Sequence, residues 1–139
     1  MRCAVLIVVS TVASLAVMAS ATQELDTSSF EKLTTSGKNG LIKFFQPWCG
    51  HCTAMKPAWD ELSEDAHSSV FIADINCSDQ DELCSDSGVK GYPTIKVYKD
   101  GEVTDYSGGR SLEELTKYVE DELAQKCNVE TLAECSEKA

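Results

Sequence analysis

Two cysteines, Cys49 and Cys52, stand two residues apart in Trp48-Cys49-Gly50-His51-Cys52, and this spacing carries the most specific chemistry in the sequence. At the start of a helix such a pair brings its sulfurs within bonding reach. The first sulfur then lies at the helix's positive end, where unpaired backbone N–H groups and the macrodipole favour thiolate over thiol. Cys49 is therefore the expected nucleophile. It would attack a disulfide to give a mixed disulfide, which Cys52, one turn inside and less exposed, would resolve. Between them, a partly cationic His51 stabilises the reduced thiolate and makes the disulfide a stronger oxidant. That points toward making and shuffling disulfides rather than only reducing them.

Three other chemistries compete for the pair. A structural zinc site needs two further ligands, and the sequence holds neither a second Cys-x-x-Cys nor two histidines at zinc spacing. Haem attachment needs His directly after the second cysteine, where Thr53 stands. A purely structural disulfide is the serious rival, but it leaves Trp48, Gly50 and His51 without a reason. Redox catalysis is the preferred reading.

The elements that must position the pair are legible from patterning. Leu41 to Phe45 is an apolar run of strand length, bounded by glycine and Pro47, with one odd charge at Lys43; it reads as a central buried strand. From Gly50 to about Asp65 the pattern is helical, with Met55, Trp59 and Leu62 on one face and Pro57 expected to kink it. Val70 to Ile75 reads as a second buried strand, and Ser78, Asp79, Asp81 and Glu82 as the start of a short helix. A turn-rich segment leads through Gly91-Tyr92-Pro93 into a strand from Thr94 to Tyr98. Asp100-Gly101 then predicts a tight hairpin to Val103–Tyr106. Capping boxes are expected at Ser28/Glu31, opening an early helix, and at Ser111/Glu114, opening a last helix with Leu112, Leu115, Val119 and Leu123 inward. An extra strand is possible around Gln23 to Leu25. Alternating elements that close with a hairpin give an α/β class, a mixed sheet with helices on both faces.

Residues 1–21 have the form of a signal peptide: Arg2, an apolar run from Ala4 to Val17, then the small-x-small Ala19-Ser20-Ala21. The run is short for a membrane span, so cleavage is expected over anchoring, with no membrane association afterwards. One domain over residues 22–126 is expected, followed by a tail, 127–139, in which the helical period is lost. The formal charge of −11 becomes −12 when Arg2 leaves, and Lys and Arg nowhere cluster, which argues against nucleic acid as a partner. Seven cysteines become six when Cys3 leaves, an even number suited to an oxidising compartment. Connectivity is open from spacing alone.

The residues Phe44 to Cys52, Lys56-Pro57 and Gly91-Tyr92-Pro93-Thr94 together resemble the thioredoxin-like catalytic domain of the protein disulfide isomerase family. The resemblance runs from about Leu25 to Gln125. It implies the thioredoxin fold and an isomerase-type oxidoreductase acting on unfolded or misfolded proteins without a bound cofactor. Glutathione or an upstream thiol oxidase would exchange electrons with it, in the endoplasmic reticulum lumen or after secretion, and a monomer is expected. It makes Cys49 the attacking and Cys52 the resolving cysteine, flanked by Gly50 and His51. Pro93 becomes a cis-proline that, with Trp48 and Tyr92, faces the substrate chain. Arg110 matches a loop arginine thought to approach the resolving cysteine. Cys77 and Cys84 match a second, structural pair found in some of these domains, and Cys127 with Cys135 would clip the tail in the same manner. Two positions depart from the family. Lys43 stands where a buried acid usually serves the proton of the resolving thiol, and Thr53 stands where a lysine usually follows the motif.

Overall fold

A computed structural model describes residues 22–125; the expected signal segment and the Cys127/Cys135 pair lie outside them. Within this range the chain runs β1 (Gln23–Glu24), α1 (Thr27–Thr34), β2 (Asn39–Phe45), α2 (Gly50–Asp65), β3 (Val70–Asn76), α3 (Asp81–Asp86), β4 (Thr94–Lys99), β5 (Glu102–Asp105) and α4 (Leu112–Tyr118), which passes into a π-helical turn, Val119–Leu123. The sheet order is β1-β3-β2-β4-β5. β1, β3 and β2 are parallel, whereas β4 pairs antiparallel with β2 and β5 antiparallel with β4. This is the thioredoxin fold, with helices on both faces of a mixed sheet as expected.

Side chains alternate across a strand, and the central strand serves two cores. Leu41 joins Met55, Trp59, Leu62, Ile72, Ile95 and the last helix on one face. Ile42 and Phe44 join Phe71, Ala73, Ile75 and Tyr98 on the other, where α1 contributes Phe30 and Leu33. Lys43 and Asp74 share the parity of Leu41 and Ile72, so both point to the α2 face. Close packing of β2 on β3 depends on Gly40, where a Cβ would come within 2.3 Å of the Phe71 carbonyl oxygen.

Local signals hold where the competition was local. Asp100 and Gly101 both take positive φ, 53° and 82°, as a primed two-residue turn requires. The Ser111/Glu114 capping box is made. The first box differs: Asp26 caps α1 and pairs with Ser29, so the helix begins ahead of Ser28, because an aspartate reaches the free amide of Ser29. Likewise α3 starts at Asp81 under Gln80, which makes no side-chain cap, and β5 lies one residue earlier than expected. Ser78 is instead drawn into the turn after β3, its N–H donating to Asn76 Oδ1 at 3.0 Å.

Candidate active site

The loop after β2 delivers Cys49 to the first turn of α2, where it is the N-cap. Its Sγ accepts from the Cys52 backbone N–H at 3.3 Å. A residue at this position normally supplies an oxygen to the orphan amides; here sulfur does so, and an anion is favoured there. The Cys49 acidity is enhanced first by the hydrogen bond from the Cys52 side chain, then by the amides of Cys52 and His51 and the field of Arg110, against opposing desolvation. Cys52 goes the other way. Burial, helped by the hydrogen bond its thiol makes with the Cys49 sulfur, pushes it up to about 11, and the cation opposing that rise is Lys43. Both sulfurs are free thiols. One helix turn thus carries an acidic thiol at its tip and a weakly acidic one beneath it.

The facing wall comes from the loop before β4. The Tyr92-Pro93 peptide bond is cis, and the Tyr92 carbonyl accepts from the Cys49 thiol at 3.6 Å. Trp48 is 75% exposed and meets the Tyr92 ring edge-on at 6.1 Å, leaving an open apolar ledge beside the reactive sulfur. Arg110 donates from a guanidinium nitrogen to the Pro93 carbonyl at 3.4 Å, which ties the loop after β5 to the same wall. Its charge is felt at Cys49. Gly50 and His51 are exposed on that turn.

Residues 21–121 match the Thioredoxin family model. The chain belongs to the thioredoxin family. Among curated relatives it is 47% identical over 121 residues to the protein disulfide-isomerase-like protein EhSep2 of Emiliania huxleyi, covering 83% of this chain and 54% of that protein. It is 35% identical over 124 residues to a putative protein disulfide-isomerase of Schizosaccharomyces pombe, covering 84% and 25%. The chain therefore spans about half the length of the first and a quarter of the second. Among solved structures, the first thioredoxin domain of mouse protein disulfide-isomerase A4 superposes with a TM-score of 0.62 at 28% identity, covering 81% of this chain and 86% of that one. The J-Trx1 fragment of ERdj5 gives 0.65 at 30% identity, covering 69% and 48%. This thioredoxin-family chain is thus similar to proteins named as disulfide-isomerases or disulfide-isomerase-like.

The structure brings Trp48, Cys49, Gly50, His51, Cys52, Tyr92, Pro93 and Arg110 to one end of the sheet. Cys77 and Cys84 form a disulfide at a Cα separation of 5.8 Å, closing the turn between β3 and α3 on the opposite core. Among the described residues, no helix is long and apolar enough to cross a membrane, and no three metal-ligating side chains cluster. Sequence reasoning passed over Asp74. It lies opposite Lys43 in the parallel register of β2 and β3, and the two are 4% and 2% exposed with Nζ and Oδ1 3.4 Å apart. Lys43 Nζ also lies over the rings of Trp59 and Phe45 at 5.2 and 5.6 Å. The signal was present: an acid inside the apolar run Val70 to Ile75 demands a buried partner, and the one odd charge in the neighbouring strand is its complement.

Proposed function

We infer that this domain forms, reduces and rearranges disulfides in protein substrates through its Cys-Gly-His-Cys site. Cys49 is the attacking thiol, Cys52 the resolving thiol, and Gly50 and His51 belong to the turn that holds the thiolate. Trp48, Tyr92 and Pro93 form the substrate-facing wall, and Arg110 adds positive charge beside Cys49. The observation that carries this reading is the opposed acidity of two thiols one helix turn apart, with Cys49 Sγ held by backbone amides and Cys52 buried to about 11. Exchange needs that asymmetry, because a thiolate must be ready at the rim while the second sulfur stays protonated until a mixed disulfide forms. Substrates are unfolded or misfolded proteins of the secretory pathway, and glutathione or an upstream thiol oxidase resets the pair. Residues 1–21 serve as the cleaved signal, and the protein acts in the endoplasmic reticulum lumen or outside the cell as a monomer.

The test is reactivation of scrambled ribonuclease alongside reduction of insulin, with Cys49→Ser as control. Both activities are expected in the wild type and neither in the variant; activity that survives Cys49→Ser sinks the reading. A redox titration gives a second measure. A working pair equilibrates with glutathione near the ~−180 mV of disulfide isomerase, whereas a purely structural disulfide lies below ~−300 mV.

A further inference from the structure

A resolving thiol as weakly acidic as Cys52 must give up its proton before it can attack, and the structure holds a receiving group beneath it. A cavity of about 300 Å³ on the α2 face is lined by Cys52, Lys43, Asp74, Lys56, Phe45 and Pro47, among others. That volume and its polar lining suit several bridging waters. Asp74 Oδ1 is fully enclosed and has no hydrogen-bond partner, although Lys43 Nζ is 3.4 Å away. A buried carboxylate oxygen left without a donor is costly unless water serves it. Asp74 sits on β3 between Glu24 of β1 and Lys43 of β2 in register, and faces the field of Lys56 and Asp60 from α2.

We propose that Asp74 accepts the proton of the Cys52 thiol through water in this cavity, and that Lys43 changes partner from the Asp74 carboxylate to the new Cys52 thiolate. This rests on the reading of Cys52 as the resolving cysteine. In the step, the Cys52 S–H bond breaks and Asp74 becomes a neutral carboxylic acid. The Cys52 thiolate attacks Cys49 sulfur in the mixed disulfide, the Cys49–Cys52 bond forms, and the substrate sulfur leaves as thiolate with the bonding pair. Asp74 then returns its proton through the cavity, so the leaving thiolate is reprotonated and the charge is restored. The dithiol is oxidised and the substrate disulfide reduced.

Magnitudes decide what Lys43 must contribute. Values of about 11 for Cys52 and about 6 for Asp74 put the internal transfer at one part in about 10⁵ before any change of partner. Loss of the proton to bulk water at pH 7 leaves one Cys52 in about 10⁴ as thiolate. Direct ionisation reaches about one in 300 by pH 8.5, so the relay leads up to that pH once the re-pairing of Lys43 favours the transfer by more than about 300-fold, within reach of a cation whose counter-ion has just been neutralised at close range.

The two routes differ in pH dependence. Internal transfer moves a proton between two sites without net loss, so the reactive form is constant across the range between the two values. Direct ionisation rises about tenfold per pH unit. Stopped-flow reaction with 5,5′-dithiobis(2-nitrobenzoate) separates the stages, since attack by Cys49 releases one coloured thiolate and resolution by Cys52 a second. In the wild type the second phase is expected to stay within about twofold from pH 6.5 to 8.5. In Asp74→Asn, and in Lys43→Met/Asp74→Asn, which removes both buried charges and guards against misfolding, it is expected to rise about tenfold per unit from pH 6 to 8. A wild-type second phase that rises tenfold per unit, or a flat profile in the folded double variant, overturns the relay. Absence of the first phase in the wild type overturns the proposed function itself, so the two failures are distinguishable.

Discussion

Treating the reduced protein with limiting iodoacetamide at pH 7 should label Cys49 well before Cys52, and the structure sets a lower bound on the difference. Cys52, raised to about 11, is thiolate in about one molecule in 10⁴ at that pH. Cys49 lies below 9.0, so at least about one in 10² is thiolate. The thiolate populations therefore differ by more than about a hundredfold. Nucleophilicity works against this, since with a Brønsted coefficient of about 0.4–0.5 the more basic Cys52 thiolate regains about tenfold. The net preference for Cys49 is at least about tenfold at pH 7. It should shrink above pH 9, where Cys49 is saturated while Cys52 continues to ionise. The assay is a quenched time course, with the alkylated sulfur located by fragment ions in the mass spectrum because one tryptic peptide carries both residues. Equal labelling at pH 7, or Cys52 ahead of Cys49, would refute the acidity argument and with it the assignment of roles.

Other perturbations test the frame around the site. Replacing Cys77 and Cys84 with Ala opens a short loop with a sequence separation of 7 and should cost roughly 2–3 kcal/mol by loop entropy, lowering Tm by about 10 °C while Cys49 and Cys52 stay reactive; an unchanged melting curve would count against a structural role. Gly40→Ala forces a methyl against the Phe71 carbonyl and should destabilise by about 1–3 kcal/mol in urea unfolding, so a neutral result would contradict the close β2–β3 approach. Asp74, raised by burial from 3.8 to about 6, contributes stability fully below pH 3.8 and loses it as pH rises through 6. The wild type should therefore lose up to ~3 kcal/mol relative to Asp74→Asn between pH 4 and 7, and a pH-independent difference would show that Asp74 does not titrate there.

The sequence by itself determined the features that depend on residues a few positions apart. The Cys49/Cys52 spacing, the Asp100-Gly101 turn, the Ser111/Glu114 box and the span Gly50 to Asp65 are each written in a short window, because helix caps and primed turns close within four or five residues. The boundaries that moved did so through local rivals: Asp26 outcompeted Ser28 for the free amides of α1, and Asn76 drew Ser78 into the turn after β3. What only tertiary structure decided was which distant side chains meet. Arg110 reaches the Pro93 carbonyl because the β4–β5 hairpin folds back along the sheet. Lys43 read in the sequence as one unexplained charge in a buried strand. It acquires a meaning only when the parallel register of β2 and β3 sets Asp74 beside it and the packing of α2 encloses both with Cys52. Register is a property of strand pairing, so the acid beneath the resolving thiol stayed hidden until the sheet was assembled.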